Sequence, residues 1–248
     1  MRSNLDNVLE IRSNTHKTSK FYIDNLIDNF IELHGDRMSS DDRSVIAGIG
    51  MIDNIPVTVI GQERGTNTKD RIERNFGLTN PSGYRKAYRL MKLAEKFNRS
   101  IVIFIDTMGA ACDKNAEANG IANAIANNIA NMFEIKVPII IIIIGEAYSG
   151  GALALAIGDR IYMLENALYS VISPEGMASI VKKDIKEVIE NINMNAEYML
   201  KNGIIDRIIE NDNTTLEKLK VNMIADITTL SKKMTNELLN ERYLKFNF

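Results

Sequence analysis

The segment Val137–Ile144, with Pro138 followed by six consecutive isoleucines, limits the fold more than any other feature of the chain. It is far too short to cross a bilayer, which takes about 20 apolar residues. A run apolar on both faces is what the middle of a sheet covered on both sides requires. A second buried strand is expected at Ile101–Ile105, ending at Asp106-Thr107. Between the two, Ile121, Ala122, Ile125, Ile129 and Phe133 recur on one side of a helix. Strand–helix alternation of this kind argues an α/β layer structure.

The rest of the chain extends the pattern. Val45–Ile52 and Ile55–Gly61 read as strands joined at Asp53-Asn54, a usable tight-turn pair. Arg64 to Asn80 is polar and rich in basic residues. Pro81 can open a helix, whose apolar face is then Tyr84, Ala87, Leu90, Met91, Ala94 and Phe97. Gly145 to Gly151 reads as a turn, with a small-residue helix over Ala152–Ile157. Short strands are expected at Arg160–Leu164 and Leu168–Val171, and mostly helix from Pro174 onward. Asn202-Gly203 stops a helix, a last short strand falls within Ile204–Ile209, and one long helix covers residues 214–240. Near the start, Phe21 to Leu33 has near-helical apolar spacing, and residues 1–20 read as a loose polar arm. Residues 21–248 show no linker-like stretch and are expected to form one domain including the C-terminal helix. Strand-after-strand spacing with later helices suits a spiral of ββα units. Pattern alone leaves a doubly wound sheet equally open.

Composition removes several function classes. The 248 residues carry a net charge of −2, which suggests no nucleic-acid surface. Cys112 is the single cysteine and His16 and His34 are the only histidines, so neither an internal disulfide nor a Cys/His metal site is expected. The N-terminus has no apolar signal region. A reducing, cytoplasmic setting is the expectation.

Four segments could carry chemistry. In Gly145–Leu153, a strand turns into a helix through Ser149, Gly150 and Gly151. The first N–H groups of a helix have no intrahelical partner, and glycine lets a ligand approach them. Such donors can stabilise a developing oxyanion, although two glycines would equally serve close helix–sheet packing. Asp106–Ala110 also comes after a strand at its carboxyl end, the usual ligand edge of open α/β sheets, or is an ordinary loop. Arg64, Lys69, Arg71, Arg74, Arg85 and Lys86 could hold phosphates, or be a solvated surface balanced by Glu63, Asp70 and Glu73. Ser173-Pro174-Glu175-Gly176 is explained by an N-cap serine with proline at the first helical position. Ser149 lacks an evident imidazole base, and no Walker motif is present.

Taken together, six segments in order resemble the alpha subunit of bacterial acetyl-CoA carboxylase carboxyltransferase: Glu32–Arg37, Arg74–Phe97, Phe104–Ala110, Ile144–Leu164, Tyr169–Ile180 and Ile204–Ile209. The resemblance covers about Tyr22 to Glu210. It implies a crotonase-like (ClpP/crotonase) α/β spiral of ββα units with flanking helices. It also implies transfer of the carboxyl group from carboxybiotin, supplied by the biotin carboxyl carrier protein, to acetyl-CoA, giving malonyl-CoA for fatty acid synthesis. The implied partner is a beta subunit of the same fold that carries a zinc ribbon. Assembly is expected as α2β2, with the active site between the chains. The absence of a CxxC pair here agrees with the alpha side. Because biotin supplies the base, the protein's share is positioning and charge stabilisation.

On that resemblance the backbone N–H groups of Gly150 and Gly151 are the oxyanion donors. Gly109, Ala110, Tyr148 and Ser149 lie at the biotin and substrate side, and Arg71, Arg74 and Arg85 are possible CoA-phosphate contacts. No metal and no covalently bound cofactor are expected. The chain departs from the family at Met108, where proline is usual, at Ala111-Cys112-Asp113, where an aromatic-Pro-Gly is usual, and at Ala147-Tyr148, where Gly-Gly is usual. Lost prolines remove fixed backbone angles, so a looser loop is expected. Tyr148 is expected to add bulk near the biotin pocket. Two other readings stand beside this one. One is a non-catalytic partner subunit. The other is a crotonase-like hydratase or peptidase using Glu146 or Glu175 as base.

Overall fold

In the computed structural model, which describes residues 3–247, the isoleucine run opens a ten-residue strand, Ile139–Tyr148, that is buried along its whole length. In chain order the elements are α1 (Asn4–Ile11), α2 (Ser19–Leu26), β1 (Asp28–Glu32), β2 (Val45–Ile52), β3 (Ile55–Gln62), α3 (Thr68–Glu73), α4 (Pro81–Lys96), β4 (Ser100–Thr107), α5 (Lys114–Ala118) and α6 (Ile121–Met132). They continue as β5 (Ile139–Tyr148), α7 (Ser149–Leu153), β6 (Arg160–Leu164), β7 (Leu168–Ser170), α8 (Pro174–Val181), α9 (Ile185–Asn191), α10 (Ala196–Lys201), β8 (Arg207–Ile209), α11 (Thr215–Leu230) and α12 (Thr235–Lys245). The sheet order is β1-β2-β3-β4-β5-β6-β8, with β7 paired to the far end of β5.

The first three strands are antiparallel neighbours, and the remaining pairs are parallel. β4 is buried at every residue, so helices cover both of its faces. On α2, Tyr22 stacks on Phe104 with ring centroids 5.8 Å apart. Tyr84, Leu90 and Met91 of α4 are fully buried against the sheet. Each isoleucine taken from water into this core contributes roughly 1.5–3 kcal/mol.

Four expectations are corrected. The arm is not loose: α1 is capped by Ser3, buries Val8 and Ile11, and is held by Asn4, whose amide donates to the Ile189 and Ile192 carbonyls at 2.9 Å each. Half of its anchoring is polar, which apolar periodicity does not register. The helix over Phe21–Leu33 stops at Leu26, and Asp28–Glu32 pairs with β2 instead. Gly48 allows this, because a Cβ there would stand 2.8 Å from the Phe30 ring. β5 runs on through Gly145 to Tyr148, since Glu146–Tyr148 find partners in Leu168–Ser170. The C-terminal helix is two helices, with Met234 acting as an extended N-cap residue for α12.

Candidate active site

The site is built where β4 and β5 end. Ser149 turns the chain from β5 into α7 with φ of 59°, the left-handed region a non-glycine residue rarely occupies. The helix it opens has no side-chain cap at its N-terminus. Its orientation is set from below, because the Gly151 carbonyl accepts both the Tyr84 hydroxyl and the Gln62 amide at 3.0 Å. A Cβ on Gly151 would lie 2.7 Å from Gly109 Cα and closer still to the next peptide. Glycine is therefore what lets the two loops touch.

The facing loop is ordered without the family's prolines. The Thr107 hydroxyl accepts the Gly109 N–H at 3.1 Å and stands 2.7 Å from the carbonyls of Gly77 and Gly109, donating to one or the other. Ala111 donates its N–H to the Thr79 carbonyl at 3.0 Å. Met108 packs into a small satellite core with Val8, Ile11 and Tyr148. The looser loop expected from Met108 is thus replaced by one tied down through Thr107 and Met108. The Gly109 N–H is engaged by its own loop.

Beside the turn lies a cavity of about 350 Å³, lined by Ser149, Gly150, Leu153, Tyr169, Val171 and Phe246 among others. Lys245 also lines it and pairs with Asp206. Burial lowers the Lys245 ammonium below its ordinary range even against the pull of Asp206. Tyr148 is not in this cavity. It is fully buried in the satellite core, with its hydroxyl 4.0 Å from the Met194 sulfur. The pairing of β5 with β7 aims the Tyr148 ring away from the cavity, and the expected obstruction does not arise.

Behind the turn is a buried charge cluster. Asp106 and Glu146 both have side chains with 0% exposure. Arg64 Nη2 bridges them at 2.8 and 2.9 Å. His16 Nε2 is 2.8 Å from the other Asp106 oxygen. Arg12 donates Nε and Nη2 to Glu146 at 2.9 and 2.6 Å, and Nη1 to Glu175 at 2.6 Å. Burial alone would raise the Asp106 carboxyl, but the fields of Arg64 and His16 win and hold it below its ordinary value. Sequence reading weighed Glu146 and Glu175 only as bases, set His16 aside as part of a loose arm, and missed Arg12.

The three arginines expected at CoA phosphates are not brought together at the cavity. Arg71 donates to the Gly65 carbonyl at 3.3 Å and the Ser13 carbonyl at 3.4 Å. Arg74 pairs with Asp70 at 2.7 Å. Arg85 pairs with Asp36 at 2.8 Å and also donates to Ser39. Each holds a loop of its own chain, and a positive cluster in sequence becomes two separate ion pairs and one arginine bound to backbone carbonyls. Among the described residues no group of three or more His, Cys, Asp or Glu side chains could hold a metal ion, and no helix is long and apolar enough to cross a membrane.

A largely parallel sheet whose two central strands end in facing, glycine-joined loops is a crotonase-like fold, the fold of solved carboxyltransferases. The transcarboxylase 12S core solved with hydrolysed methylmalonyl-coenzyme A has this fold, with a TM-score of 0.74 at 17% identity over 94% of this chain and 44% of that one. Residues 3–248 match the family described as acetyl co-enzyme A carboxylase carboxyltransferase-like. The chain is 49% identical over 248 residues to the acetyl-coenzyme A carboxylase carboxyl transferase subunit alpha of Ruminiclostridium cellulolyticum, covering 97% of this chain and 95% of the relative. It is 48% identical to the carboxyl transferase subunits beta/alpha of Natranaerobius thermophilus, and spans 42% of that longer chain. The chain belongs to the acetyl-coenzyme A carboxylase carboxyltransferase family, on the alpha-subunit side.

Proposed function

We propose that this chain is the alpha half of a carboxyltransferase that moves a carboxyl group from carboxybiotin to acetyl-CoA, yielding malonyl-CoA, in a cytoplasmic α2β2 assembly. Residues 3–247, with α1 docked on the rest of the fold, act as one catalytic domain. The biotin carboxyl carrier protein delivers the biotin, and a zinc-ribbon beta subunit holds most of the acyl-CoA. The observation that carries the reading is the start of α7: no side chain caps it, and Ser149 and Gly150 open onto the apolar cavity. A fused ring with an apolar body and one polar carbonyl fits such a cavity, with the carbonyl toward the amides.

Carboxybiotin supplies the carboxyl group and, once that has left, the base. The Gly150 and Gly151 N–H groups act as fixed donors to the oxyanion, with α7 held by Tyr84 and Gln62. Leu153, Val171 and Phe246 give the cavity an apolar wall, exposed at Val171 in this chain and closed to water once a beta subunit covers it. The fused beta/alpha relative supports a beta partner, since there the two subunits share one chain.

A hydratase reading needs a free carboxylate as base. Glu146 is fully buried and gripped by two guanidiniums. Burial would raise Glu175, but the hydrogen bond from Arg12 lowers it, opposite to the tuning a base at neutral pH requires. The test is to assemble the chain with its beta subunit and monitor malonyl-CoA-dependent carboxylation of biocytin. Turnover by the pair and none by either chain alone is expected. A well-formed complex that transfers nothing sinks the reading.

A further inference from the structure

The N-terminal segment lies outside the strands and loops that form the site, yet two of its side chains reach the charge cluster behind it. β4 and β5 pair in register up to Ile105 opposite Ile143, but Thr107 is then opposite Ala147. β5 therefore carries two extra residues just before the Ser149 turn. Such a bulge re-aims the residues that come after it. Asp106 fills the space it leaves: a Cβ at Gly145 would stand 2.7 Å from the Asp106 carboxyl carbon, and the Glu146 N–H donates to Asp106 at 3.2 Å.

The bulge thus brings two wholly buried carboxylates together, one on each strand that carries a site loop. Arg64 bridges them through a single nitrogen with its Nε unpartnered, and His16 reaches only Asp106, so neither clamps Glu146. Arg12 supplies the second guanidinium on Glu146. It clamps Glu146 through two nitrogens and ties it to Glu175 of α8 through the third. Without Arg12, Asp106 and Glu146 repel across the bulge. The displacement then passes to Ser149, Gly150 and Gly151, three to five residues further on.

We propose that Arg12 is a positioning residue for the reaction: acting through Glu146, it holds the β5 bulge and so the placement of the Gly150 and Gly151 amides against the Gly109–Ala110 loop. The inference rests on the carboxyltransferase reading for its kinetic consequence, but its structural consequence stands apart. The variants are Arg12→Ala and Arg12→Lys in the full chain with its beta subunit, with Leu9→Ala, exposed on the same helix, as control. For Arg12→Ala, kcat for malonyl-CoA with biocytin is expected to fall about 10- to 100-fold. KM for malonyl-CoA is expected to move less than about twofold, because the lost interaction acts on the transition state rather than on binding. Arg12→Lys keeps the charge but cannot bridge Glu146 and Glu175 as a fork. It is expected to melt near wild type with an intermediate kcat, a split that a merely structural residue would not give.

Amide hydrogen exchange of the peptide covering residues 145–153 supplies the second readout. It is expected to speed up about tenfold in both variants relative to peptides of the β2–β3 hairpin. Wild-type kcat in a folded Arg12→Lys complex overturns the proposal, also where Arg12→Ala fails to fold. If the wild-type complex itself shows no transfer, the carboxyltransferase reading fails. Exchange at 145–153 then decides the role of Arg12 alone, and unchanged exchange overturns it.

Discussion

Two arginines lie at the heart of buried ion clusters in this molecule, and they are used in opposite ways. Arg242 on α12 is completely saturated. It grips both oxygens of Asp159 at 2.8 Å and donates to the carbonyls of Met132, Ile135 and Val137 at 2.6–3.0 Å. Those bonds use all five guanidinium donors. Asp159 in turn accepts the Ile139 N–H at 2.7 Å, so α12 is fastened to the start of β5. Arg64, at the other end of the same strand, shares one nitrogen between two carboxylates and leaves Nε without a partner. Its cluster needs Arg12 from a distant segment. A saturated cluster fixes one geometry. An unsaturated one at the end of a strand leaves the geometry open to whatever supplies the second guanidinium, and the candidate site sits at that end.

Arg242→Met should cost the most stability. It strands the Asp159 charge in the core, and about 3–5 kcal/mol of stability should be lost. Denaturant unfolding checks this, and a loss under about 1 kcal/mol would contradict a structural anchor. Although Lys245 and Phe246 of the cavity wall are close by in the chain, the clamp acts at the start of β5, away from the Ser149 turn, so activity should fall only as far as the folded fraction falls.

Next in size is Gly151→Ala, which touches neither cluster but separates the loops that the second one aligns. Misplacing the oxyanion donors should lower kcat about 100-fold or more, with overpacking costing roughly 1–3 kcal/mol of stability. Gly150→Ala is its control, since a Cβ there meets only the Ile125 side chain at an ordinary 3.6 Å. Similar kcat for the two alanine variants would show that loop contact is not what matters.

Glu146→Gln keeps the shape of the second cluster and removes one charge. Stability should change by less than about 1 kcal/mol, because Arg64 and Asp106 remain a pair, while kcat drops about tenfold through the loosened bulge. Stability and kcat falling together would make the second cluster an anchor like the first.

The smallest effect is the acid response. Asp106 is held below its ordinary value in the folded chain, so its stabilisation is fully present above about pH 4, the unfolded value, and is lost as pH falls through the depressed one. Asp106→Asn should therefore flatten the fall in urea midpoint as pH drops below about 4. A slope identical to wild type would mean that the cluster carries no proton linkage.

How much of this was legible in the sequence depended on the kind of signal. The β2–β3 hairpin, α4 with Pro81 at its start, and α6 were readable because each repeats its apolar residues at its own period and is punctuated by proline, glycine or asparagine. The turn after β5 was readable because its glycines permit a close approach, which Gly151 makes to the Gly109–Ala110 loop. Tyr148 misled because a turn was expected from Gly145. The strand continued, and in a strand the side-chain face alternates with every residue. The partners of Arg71, Arg74 and Arg85 were not legible, because charge proximity along a chain says nothing about which carbonyl or carboxylate each will meet.

The sequence alone determined the layer class, the buried central strand and the glycine turn after it, since these depend on local periodicity and on which residues tolerate a tight turn. Only the tertiary structure decided that the N-terminal segment docks, that Arg12 and His16 complete a buried charge cluster, and that Tyr148 turns from the cavity. Burial of a charge is settled by partners far away in the chain, and the favourable arrangement exists only once all of them have arrived.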